Sequence, residues 1–327
     1  MQVRRLGKTD LTVSEIGFGA WAIGASWGPT DDEVSLAAMH AAVDAGVNFL
    51  DTADVYGDGH SEKLIGRLLR ERSERIVVAT KFGRRVMPPA VEYFTYEQMR
   101  EWFERSRENL GVTTVDVVQL HCPQTPVYYE PAVWEACTRL VEDRLVSHIG
   151  VSVEKVEEAL KAIEYPIVST IQIIFNIFRQ RPAGLLFEQA KRRDVGIITR
   201  VPLASGLLTG KMTRETQFAP DDHRRFNRQG EAFDRGETFA GVDFETGLGV
   251  VEELRPLVPD GATLAQFALR WTLMHEAVSV AIPGAKTPEQ ARANAAASDL
   301  PPLPEATMQR ITELYRERVA PQVHHRW

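Results

Sequence analysis

Four residues able to move protons or stabilise charge stand at equivalent places in the chain. Asp51 closes the apolar run Asn48–Asp51, and Tyr56 comes shortly after it. Lys81 follows the run Ile76–Thr80, and His121 follows Val115–Leu120. If these runs are neighbouring parallel strands of a barrel, their C-terminal ends share one rim and the four side chains converge there. A phenol titrates near pH ~10, too high for efficient proton transfer at neutral pH. An ammonium about 4 Å away, at an effective dielectric near 20, favours the phenolate by roughly 4 kcal/mol, or about three pKa units. Asp51 would keep Lys81 protonated, and His121 could hold a carbonyl oxygen beside Tyr56. Such a set gives a proton to an oxygen. No side chain donates hydride, so reduction at this rim requires a cofactor.

The elements that must position these residues are legible in the alternation of the chain. Eight apolar runs read as strands: Glu15–Phe18, Asn48–Asp51, Ile76–Thr80, Val115–Leu120, Ser147–Val151, Ser169–Ile173, Gly196–Arg200 and Val278–Ile282. Helical spacing separates them. Thr30-x-x-Glu33 has the form of a capping box. Val34, Ala37, Ala38, Ala41, Ala42 and Ala45 then repeat at helical period, and Gly46 can end that helix. Further helices are expected at Tyr96–Leu110, Pro131–Val141, Val153–Ile163, Gly184–Arg193, Gly249–Leu257, Thr263–Met274 and from Pro288. Strand–helix alternation implies a parallel sheet covered on both faces. Eight units suit a closed α/β barrel of the (β/α)8 (TIM) type, here one domain over residues 1–327. Arg4–Leu6 and Leu11–Val13 read as a hairpin plugging the barrel bottom, and extra C-terminal helices follow the last strand. Residues 212–247, after the seventh strand, show no periodicity but carry Phe218, Phe226, Phe233, Phe239 and Phe244. Loops of that length are usually functional, and the aromatics suggest one that folds down onto something.

Composition narrows the function. Net charge is −7, which argues against non-specific binding to nucleic acid or to acidic membranes. No run approaches the roughly 18 apolar residues of a spanning helix. Met1–Asp10 is polar, and no signal-like apolar run follows. Cys122 and Cys137, the two cysteines, make neither a disulfide framework nor a metal-ligand spacing. Together these features describe a soluble cytoplasmic protein. Neighbouring strand residues face opposite ways, so His121 and Cys122 are not expected to share one site. His148 lies at a strand start on the other rim, and His324-His325 sits in the tail, which leaves too few ligands for a metal-dependent hydrolase. Gly17-Phe18-Gly19-Ala20-Trp21-Ala22 fits the spacing of a dinucleotide fingerprint. No helix opens there to receive a pyrophosphate, and Gly24, Gly28 and Pro29 intervene before the next one.

Several segments together resemble one family. Asp51-Thr52-Ala53-Asp54-Val55-Tyr56-Gly57, Lys81 and Leu120-His121 are similar to the tetrad segments of the aldo-keto reductase superfamily. So are Arg5-Leu6-Gly7-Lys8-Thr9, Gly17–Trp21, Gly150-Val151-Ser152, Pro202–Lys211 and Ile282-Pro283-Gly284-Ala285, in the right order over nearly the whole chain. The likeness is greatest to the bacterial general-purpose reductases of that superfamily. The resemblance implies reduction of a small carbonyl compound by NADPH. Tyr56 would be the acid, Lys81 paired with Asp51 would lower its pKa, and His121 would orient the carbonyl. Ser152 and Gln172 would hold the nicotinamide carboxamide, with Arg200 on the ring face. Pro202, Leu203, Ser205, Gly206, Leu208 and Lys211 would wrap the pyrophosphate. Gly284, Lys286, Gln290 and Asn294 would hold the adenosine end, and Trp21 would line the substrate pocket. Thr287 and Pro288 suit a helix start, where Lys286 adds charge for a phosphate and favours NADPH over NADH. Gln290 could instead complete a capping box with Thr287.

Val153, Arg200, Phe175-Asn176 and Gly284 depart from the family pattern. Some relatives keep the cofactor and serve as partner subunits of membrane proteins, so a barrel alone does not imply turnover. Trp27, Tyr93, Phe94, Tyr128 and Tyr129, within Ser26–Thr30, Pro88–Tyr96 and Cys122–Tyr129, suggest an aromatic substrate pocket. The tail Val319–Trp327, aromatic at its end, is a candidate to dock.

Overall fold

Val3–Arg5 (β1) and Thr12–Ser14 (β2) pair antiparallel, Val3 opposite Ser14 and Arg5 opposite Thr12. This computed structural model describes residues 1–24, 27 and 30–327; Ser26, Gly28 and Pro29 of the expected pocket segment and interrupted fingerprint lie outside them. The hairpin buries Leu6 and Val13 against Phe49, Val77, Val117, Ile198 and Val280, closing one end of the barrel as its pattern implies.

Eight parallel strands follow: β3 Phe18–Gly19, β4 Phe49–Asp51, β5 Val77–Phe82, β6 Val115–His121, β7 Val146–Ser152, β8 Val168–Ile174, β9 Gly196–Arg200 and β10 Val278–Ala281. Each pairs with the next in chain order. Parallel bridges between Ile16 and Ala281, and between Gly19 and Gly284, join the first strand to the last. The Gly17 amide donates to the Ala281 carbonyl at 2.8 Å and the Gly19 amide to that of Pro283 at 3.0 Å. The expected (β/α)8 barrel is therefore present. All six residues of β5 and all seven of β8 are buried, as strands covered on both faces must be.

Element boundaries moved where local hydrogen bonds compete with periodicity. The first barrel strand ladders with β4 only over Phe18–Gly19, while Glu15–Gly17 of the expected strand pair with the last strand around Ala281. Lys81 and His121 lie inside β5 and β6 rather than just after them. The helix expected from Thr30 starts at Asp32, because Asp31 caps it by accepting from the Val34 amide at 3.0 Å. The helix expected from Val153 starts at Val156. There the Glu158 carboxylate accepts from the amides of Glu154 and Lys155, at 3.1 and 3.0 Å, and holds Val153–Lys155 outside the helix. Asp243 caps the helix Phe244–Leu254, which stops where Pro256 removes a donor; the sequence pattern placed it at Gly249–Leu257.

Residues 212–247 fold onto the barrel. Phe239 and Phe244 pack at 5.1 Å between ring centres, and Phe218 joins them. The tail docks on this segment. The Trp327 indole N–H donates to Asp234 at 3.1 Å, and the Arg179 guanidinium lies 3.7 Å over its ring. Gly241 has φ +82°, and a Cβ there would meet the Trp327 ring at 2.5 Å. Among the described residues no helix is long and apolar enough to cross a membrane.

Candidate active site

Four adjacent elements bring the tetrad together. Asp51 ends β4, Lys81 lies near the end of β5 and His121 ends β6. Tyr56 sits in the loop after β4, fixed by bonds from its amide to the Ala53 carbonyl (3.1 Å) and from the Ser61 amide to its own carbonyl (3.2 Å). Lys81 is 1% exposed. Its ammonium donates to Asp51 Oδ1 at 2.5 Å, to the Thr52 carbonyl at 2.8 Å and to Tyr56 Oη at 3.4 Å. Asp51 Oδ2 accepts from Gln119 at 3.1 Å and from Gln172 at 2.6 Å. The His121 ring stands perpendicular to Tyr56 at 6.0 Å, and Trp21 lies nearly parallel to Tyr56 at 6.3 Å.

These surroundings set the charges. Burial alone would lower the Lys81 pKa, but Asp51 and Tyr56 carry it above the usual lysine value. For Tyr56 the direction reverses the sequence expectation. Burial raises its pKa, and Lys81, acting against it, does not prevail. Missing from that expectation were burial, the largest effect, and the Asp51 carboxylate, which offsets the ammonium it pairs with. Burial, Arg84, Lys81 and Arg200 push His121 well below the ordinary histidine value, so the imidazole is neutral.

The expected cofactor residues line the same rim, though several are already engaged. Ser152 ends β7 and Arg200 ends β9. The Gln172 amide nitrogen is given to Asp51 and Gln119, and its carbonyl has no partner among the described residues. Val201, Ala204, Ser205 and Gly206 all have left-handed backbones, bending the chain sharply after β9. Pro202, Ser205 and Leu208 are buried, Leu203 and Gly206 half-buried and Lys211 exposed. Ser205 Oγ donates to the Glu237 carbonyl and accepts from the Phe239 amide, tying this segment to residues 212–247. Thr287 caps the helix Pro288–Ala295. Gln290 accepts from the Lys286 amide at 2.8 Å rather than from Thr287, so the alternative capping box is incomplete. The Lys286 ammonium donates to the Trp27 carbonyl and Asn294 to that of Gly284.

The model of the Aldo/keto reductase family matches residues 15–316. The chain belongs to the aldo/keto reductase family. It is 29% identical over 306 residues to an aldo-keto reductase of Bacillus subtilis, covering 90% of this chain and 87% of that one. It is 28% identical over 322 residues to a probable voltage-gated potassium channel subunit beta of rice, covering 93% of each. Over 315 residues it is 28% identical to an NADH-specific methylglyoxal reductase of Escherichia coli, covering 90% and 93%. The glycerol dehydrogenase structure of Gluconobacter oxydans aligns with TM-score 0.79 at 28% identity, covering 97% and 96%. Family membership makes this chain an oxidoreductase.

Within this reductase, sequence reasoning missed a cluster beside His121. Arg84, in the loop after β5, donates to Glu154 at 2.7 Å and to Glu237 at 2.9 Å. Arg200 donates to Glu154 at 3.0 Å and lies 3.4 Å from Glu237. Burial pushes Glu154 up to about 7. Burial would raise Glu237 as well, but Arg84 and Arg200 carry it down to about 2. Cys122 joins them, 3.7 Å from Arg200 and 3.6 Å from Ser152 Oγ. The strand-alternation argument fails for Cys122 because it lies beyond β6 with φ +47°. Donor atoms of Cys122, Glu154 and Glu237 gather within 4.8 Å. Two guanidiniums already hold both carboxylates, and burial keeps the thiol protonated up to about 12, so the cluster is an ion-pair network rather than a metal centre.

The aromatic wall also differs from expectation. Tyr93 and Tyr129 are exposed, while Phe94 and Tyr128 belong to the core. Trp27 does join the site, with His223 and Phe233 from residues 212–247. All three rings surround Trp21, at 5.3, 4.9 and 5.9 Å. The phenylalanines of 212–247 gave a signal for this approach. Glu237 and His223 gave none, since isolated charges in an aperiodic stretch read as solvated.

Proposed function

We propose that this protein reduces an aldehyde or ketone to the alcohol, using NADPH in the cytoplasm, with Tyr56 as the proton donor. One observation carries the reading: a buried ammonium, Lys81, bridges Asp51 and Tyr56 beside a neutral His121. The donor set suits a dinucleotide. Ser152 and the Gln172 carbonyl match a carboxamide, the left-handed bend turns the chain sharply after β9 where a pyrophosphate would lie, and Lys286 stands at a capped helix start. Lys286 supports NADPH over NADH. Residues 1–327 then act as one domain, with 212–247 inserted after the seventh barrel strand (β9).

When bound, the reduced nicotinamide supplies hydride to the carbonyl carbon. His121 donates a ring N–H to the carbonyl oxygen and holds it near Tyr56. Burial keeps the phenolic proton on Tyr56 until that oxygen becomes basic. Tyr56 then gives up its proton, and Lys81 stabilises the phenolate left behind. Asp51 keeps Lys81 charged throughout. Trp21 and the rings around it favour a flat, aromatic carbonyl substrate.

Similarity to a channel subunit motivates one second reading, a cofactor-binding partner with little turnover. The test is loss of reduced-nicotinamide absorbance with NADPH and NADH in parallel, over a panel of aldehydes, for wild type and Tyr56→Phe. The expected result is turnover with NADPH that falls about 10²–10⁴-fold in the variant, with cofactor binding kept. Cofactor binding without turnover across the panel would favour the partner reading. Faster turnover with NADH would overturn the Lys286 argument.

A further inference from the structure

The network beside His121 draws on four separate elements. Arg84 follows β5, Glu154 follows β7, Arg200 ends β9, and Glu237 arrives from residues 212–247. Its formal charge is zero when both carboxylates are ionised. Arg200 is largely buried, and its Nε–H has no partner among the described residues. Glu237 is held in place from outside the network. Its carbonyl accepts from Ser205, its neighbour Asp234 accepts from Trp327, and Arg179 donates to the Ala240 carbonyl at 3.4 Å.

We propose that Glu154 and Glu237 are positioning residues that neutralise Arg84 and Arg200 and thereby set the relative affinity for oxidised and reduced cofactor. This rests on the reading above, which puts the nicotinamide beside Arg200, between Ser152 and Gln172. The oxidised ring carries one positive charge and the reduced ring none. An uncompensated guanidinium next to it therefore penalises NADP+ and leaves NADPH nearly unaffected. An aromatic residue at position 200 would need no such balance. A guanidinium there requires carboxylates, and the structure supplies two from different elements. The balance also couples cofactor preference to the docking of residues 212–247, because Glu237 enters with them.

The test measures dissociation constants of NADP+ and NADPH by tryptophan fluorescence quenching. Wild type, Glu237→Gln, Glu154→Gln and the double variant Arg84→Met/Glu237→Gln are compared at pH 8, where Glu154 is ionised. Each single variant leaves one net positive charge, so the ratio Kd(NADP+)/Kd(NADPH) should rise on the order of tenfold or more. Glu154 lies on the barrel, so its variant reports even if Glu237→Gln releases the docked segment. The double variant restores neutrality and should return the ratio toward wild type. Equal weakening of both cofactors, or a ratio within twofold of wild type in both single variants, overturns the proposal and leaves the network as a clamp. A wild type that binds neither cofactor refutes the reductase reading itself, and this inference with it.

Discussion

Replacing Asp51 by Asn removes one charge and almost no volume, so its effect isolates the buried ion pair. Lys81 would keep its place at 1% exposure, with the Thr52 carbonyl and Tyr56 as its remaining partners. The asparagine amide cannot satisfy the site in either orientation. Turned one way, its NH2 faces the Lys81 ammonium. Turned the other, it faces the amide donors of Gln119 and Gln172. Stranding a buried charge by removing its partner costs about 3–5 kcal/mol, measurable by urea unfolding at pH 7. The pH dependence tests the cause. In wild type the folded-state Lys81 pKa is raised. Its contribution is therefore present at all pH below the unfolded value near ~10.4 and is lost only as pH rises through the folded value. In the variant, burial dominates and lowers the folded pKa, so stability rises with pH as the folded chain sheds a proton that the unfolded chain still holds. The deficit should shrink between pH 7 and pH 10. A loss under about 1 kcal/mol at pH 7, or a deficit independent of pH, would refute the electrostatic account of the site.

Two further outcomes follow from groups described above. Burial and the surrounding cations keep His121 neutral, so its ring proton resonances should not move between pH 5.5 and 8; a titration near pH ~6.5 would contradict the neutral hydrogen-bond donor. Trp327→Ala removes an indole that is 5% exposed, together with its hydrogen bond to Asp234 and the ring under Arg179. A loss of roughly 3–5 kcal/mol in urea unfolding, with faster tryptic cleavage at Arg235, is expected; wild-type stability and cleavage would show that the tail does not hold residues 212–247.

What could be read from sequence was whatever repeats or converges. Val- and Ile-rich strands reveal themselves because both faces are buried, so all eight barrel strands were visible. Asp51, Lys81 and His121 stood out because strand ends in a barrel share a rim. Strand ends were less legible: nothing in Ile76–Thr80 says that pairing runs on through Lys81 and Phe82. Helix starts were lost to capping carboxylates, since Asp31 and Glu158 compete with Thr30 and Val153 by hydrogen bonds that periodicity ignores. The sign of the Tyr56 shift needed the balance of burial, Lys81 and Asp51, which depends on distances. The Arg84–Glu154–Arg200–Glu237 network was invisible for a different reason. Its members are 153 residues apart at the extreme, and no local pattern marks a charge as buried.

The closure of the barrel has a consequence for how the site moves. Every other neighbouring pair of barrel strands shares a ladder, but β3 and β10 meet through two isolated bridges. The first barrel strand is thus tied lightly on both sides, since its ladder with β4 is only two residue pairs long, and short pairing of this kind opens more readily than the longer ladders between β5 and β9. Trp21 hangs just beyond one lip, after Gly19, and Lys286 just beyond the other, after Gly284. A small parting of the two lips would separate the substrate wall from the adenosine end while keeping the β4–β5 and β5–β6 ladders that hold Asp51, Lys81 and His121 side by side. The residues expected to meet substrate and adenosine therefore flank the sparsely paired sector of the cylinder, and the charged residues stand on the sector beside it.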